Sequence, residues 1–313
     1  MEKPLKKGCY TVLVLCAMLL FGCADTEPKE RISEIPLLRY DGVQDTLHPA
    51  RWNLEEQTVI TEEKIVLRQD AISAVLSMEW SGDGHLLLPA GFSNRPFSEV
   101  DTDFFQKVTE KEYEKEIVYG GWRCWKEDSG AVMLADANNV YPLELDADYE
   151  LVGLTDSGEG VTILLWNRLH GQVALYQYDT KRQTGSLEPV EGFPHLMSSQ
   201  LWLEQVAIET GENFYFTDGY AVYLIDSKTK QAEQIFSKNE FAASFANTDA
   251  SLAEALGSCV FRMGIYQNGL LVLLGHSEGF FETHWVYYQS EEQQELMELP
   301  EDPSAVYLLP NYE

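Results

Sequence analysis

The sequence predicts an all-β chain built by repetition, and three observations carry that expectation. Apolar residues come in short or alternating runs, such as "VTILLW" (161–166) and "LLVLL" (270–274), separated by clusters of Gly, Asp, Asn and Ser. That pattern belongs to strands and turns rather than to amphipathic helices. Five segments then share one layout, a strand, a polar Gly-containing turn and an apolar strand: "SMEWSGDGHLLLPA", "WRCWKEDSGAVMLAD", "LVGLTDSGEGVTILLWN", "EQVAIETGENFYFTDG" and "FRMGIYQNGLLVLLGH". A second layout, a strand, a tight polar turn and a strand, recurs in "VALYQYDTKRQTGSLEPV", "YAVYLIDSKTKQAEQIF" and "THWVYYQSEEQQELMEL", with "VYPLELDADYELVGL" as a shorter version.

The first apolar residues after the turns of the first unit are Leu86, Val132, Val161, Phe214 and Leu270, at intervals of 46, 29, 53 and 56 residues. Their mean, 46, is the spacing of blade repeats in propellers, roughly 40–50 residues. In the second unit Asp179 and Asp226 stand at the turn, where a carboxylate accepts hydrogen bonds from the backbone N–H groups just ahead. The two units together make strands a to d of a four-stranded antiparallel sheet, and radial repetition of such a sheet leaves only short, protected edges. The expectation is therefore a β-propeller of about six four-stranded antiparallel blades. One blade is expected to draw on both ends of the chain, through "EQTVITEEKIVLRQ" and "SAVYLLPN". The 29-residue interval is tight for a full blade, so either that blade lacks a strand or Val132 is the wrong anchor. Two insertions interrupt the pattern. "DTDFFQKVTEKEYEKEIV" reads as a helix opened by Asp103 or as a charged edge hairpin, and "NTDASLAEALGS" as a helix capped by Asp249 and stopped by Gly257.

With 313 residues, 45% of them apolar and 12% aromatic, the chain has ample material for a core. Its formal net charge of −29 excludes phosphate-backbone binding, which needs clustered Lys and Arg. Basic side chains cluster only at the start, in "MEKPLKKG", ahead of the uncharged run "CYTVLVLCAMLLFG". That order reads as a secretory signal, and the apolar run is shorter than a bilayer span of about 20 residues. The segment "LLFGCADTEPKE" resembles a bacterial lipoprotein lipobox, with Leu20, Gly22 and Cys23 in place and Phe21 where that pattern has a smaller residue. The resemblance implies residues 1–22 as signal peptide, Cys23 as the lipidated first residue, 23–33 as a flexible tether and 34–313 as the propeller. Such cleavage leaves 19 basic and 50 acidic residues, a net charge of −31. It also leaves two further cysteines, Cys124 and Cys259, which an exported compartment allows either to pair or to stay as buried thiols.

The turn "EWSGDGHLLL" is similar to the Trp-Ser-Pro-Asp-Gly turn of TolB-like and WD-like propeller repeats, with Gly82 where that family has Pro. The resemblance covers roughly residues 70 to 300 and implies a bacterial propeller lipoprotein. Within it Asp83 and Gly84 build the turn, Trp80 packs, and His85 faces solvent.

No motif implies a metal, a cofactor or a catalytic nucleophile. There is no His-Glu-x-x-His, Gly-x-Ser-x-Gly, phosphate loop or dinucleotide fingerprint. "HSEGFFETH" spaces His276 and His284 eight apart, outside any recognised ligand spacing. "DADYE" starts like a calcium loop at Asp146, Asp148 and Glu150 but has Leu151 where the loop needs Gly, so it reads as a turn. The sialidase-type Asp-box fails at His85, and the quinone-docking pattern fails at Lys230. What remains is "GGWRCWKED", where Trp122 and Trp125 flank Arg123. Such a group either stacks on a sugar or protein partner, or fills the space between blades.

These readings converge on a protein of the bacterial cell envelope, lipid-anchored and facing out of the cytoplasm, at the cell surface or in the periplasm. Its expected role is non-catalytic binding or scaffolding of a protein, peptide or glycan, with Trp122, Arg123 and Trp125 as candidate contacts. The alternative is a glycan-active hydrolase or lyase with acidic residues in a central channel. A sensor ectodomain acting on a membrane partner is a third possibility. A fold of this kind does not choose among them.

Overall fold

The chain lays down antiparallel sheets in sequence order, each from consecutive hairpins. In the computed structural model the described residues are 32–41, 43–44, 46–61, 64–66, 79–81, 85–87, 95–96, 116–119, 121–127, 129–145, 148–157, 160–193, 206–237, 259–275, 283–291, 293–300 and 305–309. The first sheet opens with β1 (Glu34–Asp41), β2 (Thr46–Asn53), β3 (Thr58–Thr61) and β4 (Ile65–Val66), the last two both pairing with β2. The second holds β5 (Glu79–Ser81), β6 (His85–Leu87) and β7 (Arg95–Pro96). The third runs β8 (Glu116–Tyr119), β9 (Trp122–Lys126), β10 (Val132–Ala135) and β11 (Val140–Leu143). The fourth runs β12 (Glu150–Asp156), β13 (Gly160–Asn167), β14 (Gln172–Asp179) and β15 (Thr184–Pro189). The fifth is β16 (Ala207–Thr210), β17 (Asn213–Thr217), β18 (Ala221–Asp226) and β19 (Gln231–Ser237). The sixth is β20 (Cys259–Tyr266), β21 (Gly269–Gly275), β22 (Thr283–Gln289) and β23 (Gln294–Glu298). Finally β24 (Ala305–Leu308) returns to the first sheet and pairs with β1.

Burial explains the sequence pattern strand by strand. Every residue of β13 is buried, whereas β15, at the edge of the same sheet, is exposed at nearly every position. A strand covered on both faces reads as a continuous apolar run, so "VTILLW" carries no alternation. Its side chains still divide by parity. Val161, Ile163 and Leu165 join Cys124, Val132 and Leu134 of the third sheet, while Leu164 and Trp166 join Phe214, Phe216 and Tyr223 of the fifth. The fifth sheet uses its other face, through Ile208, Val222 and Phe236, against Met263, Val272 and Tyr287 of the sixth. Each of these interfaces carries a cross-sheet aromatic pair: Tyr141–Tyr178 with centroids 5.6 Å apart, Trp166–Phe216 at 5.2 Å and Phe236–Tyr287 at 4.9 Å.

Successive first strands run side by side, β8 by β12, β12 by β16 and β16 by β20, so in the third to sixth sheets the first strand lies innermost. Face-to-face packing of consecutive four-stranded sheets, inner strands adjacent and outer strands exposed, is a β-propeller. Side chains also close the inner edge: the Leu154 N–H donates to Glu209 Oε1 at 3.2 Å, and the Thr155 hydroxyl to the Gly211 carbonyl at 2.8 Å.

Several expectations are sharpened. The six-sheet count holds, and the first sheet is completed by β24, with β1 and β2 as well as "EQTVIT" from the N-terminal side. Val132 lies on β10, the third strand of its sheet, not on the second; the equivalent position is Trp122, which turns the 29-residue interval into 39. "VYPLELDADYELVGL" is not a hairpin of one sheet: it is β11 followed by β12 of the next. Of the first insertion, residues 116–118 are strand, in β8, and 101–115 lie outside the described residues, as does the whole of 247–258. Among the described residues there is no helix.

Candidate functional site

The two ends of the blades are built differently. One end carries the connections between first and second strands (82–84, 120–121, 157–159, 211–212, 267–268) and between third and fourth (54–57, 136–139, 180–183, 227–230, 290–293), all of two to four residues. The other end carries the second-to-third connections and the passages between sheets, which reach 21 residues at 238–258.

The tight turns rest on carboxylates and amides. Asp179 Oδ1 accepts from the N–H groups of Lys181 and Arg182, both at 2.9 Å, and Asp226 Oδ1 from those of Lys228 and Thr229, both at 2.8 Å. Asn53 Oδ1 does the same for Glu55 and Glu56. In all three turns the fourth loop residue is left-handed without being glycine: Gln57 at φ 53°, Gln183 at 54° and Lys230 at 58°. Asp136 Oδ1 holds Asn138 and Asn139, and its Oδ2 accepts from the Tyr141 hydroxyl at 3.1 Å. Those N–H bonds hold the carboxyls of Asp136, Asp179 and Asp226 below the usual carboxylate range, led by Asn138, Arg182 and Thr229 respectively. At the opposite end, buried Asp218 accepts from Tyr220 and Ala221. Burial, and then Asp218, push the Tyr223 hydroxyl well above the ordinary phenol range.

The aromatic group on β9 is divided by strand alternation. Trp122 is half-buried, packs with the cluster between the third and fourth sheets and lies 6.4 Å from Tyr141. Exposed Arg123 and half-buried Trp125 share the opposite face, with the guanidinium 5.7 Å from the indole centroid. The structure thus brings Arg123 and Trp125 together and places Trp122 on the other side of the sheet. Cys124, between them, is a fully buried thiol, whereas β20 carries Cys259 in the sixth sheet. Of the turn near Trp80, the backbone shows Ser81 opposite His85 and Trp80 opposite Leu86; Asp83 and Gly84 lie outside the described residues. Asp146 and Cys23 also lie outside them. Asp148 is exposed in a turn, and Glu150 accepts from Arg168 Nε at 2.8 Å. Arg168 in turn lies over Trp166, 4.4 Å from its centroid, a contact that sequence spacing does not reveal. Among the described residues no group of three or more His, Cys, Asp or Glu is placed to hold a metal ion.

No protein-family model and no curated protein matches the sequence. Solved structures give remote likenesses. TolB from Acinetobacter baumannii is matched over 100% of this chain and 75% of its own, at 11% identity and a TM-score of 0.39. The β-propeller domain of the Trilobed protease from Pyrococcus furiosus, a domain with an open velcro topology, is matched over 86% of this chain and 78% of its own, at 11% identity and a TM-score of 0.35. Porphyromonas gingivalis dipeptidyl peptidase 4 is matched over 88% of this chain and 40% of its own, at 13% identity and a TM-score of 0.35. Likeness at this level assigns no function, and the propeller fold of this chain rests on its own sheet order and packing.

Proposed function

We propose that the protein is an extracytoplasmic, lipid-anchored β-propeller of the bacterial cell envelope that binds a protein, peptide or glycan without transforming it. The observation that supports this reading is what six of the described acidic side chains do. Asp136, Asp179, Asp218 and Asp226 each hold two backbone N–H groups, Glu150 holds Arg168, and Glu209 holds the Leu154 N–H across two sheets. Carboxylates committed to turns and edges are architectural, and binding specificity in such folds resides on the longer connections. Arg123 and Trp125 are the candidate contacts on the third sheet, an amphipathic pair of the kind that anchors interfaces.

Two measurements test the reading. Cys23→Ala should abolish incorporation of labelled fatty acid and release the chain from the envelope fraction; unchanged labelling refutes the anchor. The chain without its lipid, offered to extracellular polysaccharides and peptide arrays, should retain a ligand and release no new reducing ends. Appearance of reducing ends on incubation with polysaccharide would establish the hydrolase or lyase instead.

A further inference from the structure

The outer strands of the six sheets differ in how their edges are protected. A strand at a sheet edge presents a row of unpaired backbone N–H and C=O groups, and proline, charge or a covering segment normally blunts it. β7 carries Pro96, β11 carries Pro142, and β15 ends in Glu188 and Pro189. β23 carries exposed Glu295 and Glu298. β19 is covered where Glu191 bridges to Gln231: the Glu191 N–H donates to the Lys230 carbonyl at 3.0 Å, and the Ala232 N–H to the Glu191 carbonyl at 2.7 Å. β3, the longer of the two outer strands of the first sheet, has none of these devices. Thr58, Val59, Ile60 and Thr61 are all β-branched and uncharged, Val59 is half-buried, and the others are exposed, Ile60 at 55%. Among the described residues β3 pairs on one side only, with β2.

We propose that the open edge of β3 takes an extended segment of a partner protein as an added strand, and that this segment carries basic residues on both sides of a short β-branched core. In strand addition the main-chain hydrogen bonds supply affinity and the side chains supply choice. The sequence around β3 makes that choice one of charge. Glu55 and Glu56 precede the strand, Glu62 and Glu63 follow it, and Lys64 is the one base among residues 55–64. Arg51, which lies opposite Ile60 on β2, pairs with Glu34 at 3.4 Å. An edge of four residues spans only about 13 Å, room for a few hydrogen bonds. Charge at its two ends therefore weighs heavily, drawing in basic chains and turning away acidic ones. A second copy of this chain has a suitable core, because Thr-Val-Ile-Thr reads nearly the same in both directions, but it brings a formal net charge of −29 of its own. Self-pairing is thus opposed by repulsion between copies. The β3 edge lies on a different sheet from Arg123 and Trp125, and its use does not depend on lipidation of Cys23.

The probe is a dye-labelled peptide with Lys-Arg and Arg-Lys at its ends and Thr-Val-Ile-Thr between them. It is added to the full chain in mild detergent and followed by fluorescence polarisation. Binding that weakens several-fold from low to high salt, with no binding of a counterpart ended in glutamates, supports the proposal. Absence of binding, or equal binding of the acidic counterpart, overturns it. Amide exchange read by mass spectrometry then locates the peptide. Slowed exchange over 54–66, the segment that holds β3 and β4, supports the proposal. Slowing over 116–127, which holds β8 and β9, overturns it and leaves the pair Arg123 and Trp125 as the binding site. Ile60→Lys, at an exposed position, should weaken peptide binding several-fold at an unchanged thermal midpoint. Unchanged binding overturns the proposal, and if the midpoint falls, exchange in the natural chain decides. Protection of 54–66 without peptide, in protein that sediments as a dimer, would make a second copy the occupant and overturn the proposal.

Discussion

At the scale of single residues, Asp226 shows how a carboxylate stabilises this fold without being a site. Its pKa is lowered by the Thr229 and Lys228 N–H groups. A group depressed in the folded state contributes fully above its unfolded value, about 3.9, and the contribution is lost as pH falls through the folded value. Asp179 and Asp136 act the same way. The thermal midpoint should therefore be level from pH 7 to about 5 and fall below about 4, in a calorimetric series. Asp226→Asn should flatten part of that acid limb, because an amide oxygen still accepts but does not titrate; an unaltered limb would show that the turn carboxylates do not set it. Asp179 and Asp226 were legible in the sequence because the turn interaction is local. Glu209 was not, since its partner, the Leu154 N–H, is 55 positions away and is brought near only by packing of adjacent sheets. Glycines separate in the same way. A Cβ on Gly185 would fall 2.0 Å from the Tyr176 hydroxyl, and one on Gly160 would fall 2.0 Å from the Tyr178 carbonyl oxygen. A ring tip yields more easily than backbone, so Gly185→Ala should cost about 1 kcal/mol and Gly160→Ala about 3 kcal/mol in urea unfolding. A reversed order would show that the Tyr176 ring is the more firmly held of the two.

At the scale of elements, the turn after the third strand is the most regular device in the molecule. Asn53, Asp179 and Asp226 each open a four-residue loop whose last member is left-handed. A side chain in that conformation costs roughly 1–2 kcal/mol, and glycine escapes the cost at the expense of a freer unfolded chain. Gln183→Gly should therefore stabilise by about 0.5 kcal/mol, read as a rise in urea midpoint with unchanged slope; a fall would mean that the Gln183 side chain makes a contribution of its own. The elements that sequence reasoning missed share a cause. β1 and β2 carry Pro36 and Pro49, and Pro counts against a strand because it donates no ladder hydrogen bond. β8 sits at the end of a charged run that reads as an insertion, so "WRCWK" reads as the first strand of its sheet when it is the second. The predominantly apolar β13 and β21, in contrast, are plain in the sequence, because burial on both faces admits few polar residues, in β13 only Thr162 and Asn167.

At the scale of the whole propeller, the first sheet joins both ends of the chain. β24 pairs with β1 from Leu38↔Leu308 to Asp41↔Ala305, and its Tyr307 and the following Leu309 are 2% and 4% exposed. Without it β1 becomes the inner edge of its sheet, with unpaired backbone groups beside buried Leu37, Leu38 and Tyr40. Burial of Tyr307 and Leu309 alone accounts for about 4 kcal/mol. That is a large share of the 5–15 kcal/mol typical of a folded domain. A chain ending at residue 304 should consequently unfold at a temperature lower by about 10 °C, given a shift of about 2–4 °C per kcal/mol in chains approaching this length. Amide exchange should accelerate first in β1, where pairing is lost, and only later in β13 and β17, which pack between complete sheets. Because the missing strand makes few local contacts, a synthetic peptide of residues 301–313 added in excess should rebind the vacant edge and restore both the midpoint and the protection of β1. An unshifted midpoint in the shortened chain would mean that the remaining sheets hold the ring without the closing strand. A lowered midpoint that the peptide leaves unchanged would place the damage in the folding of the shortened chain rather than in the edge it exposes.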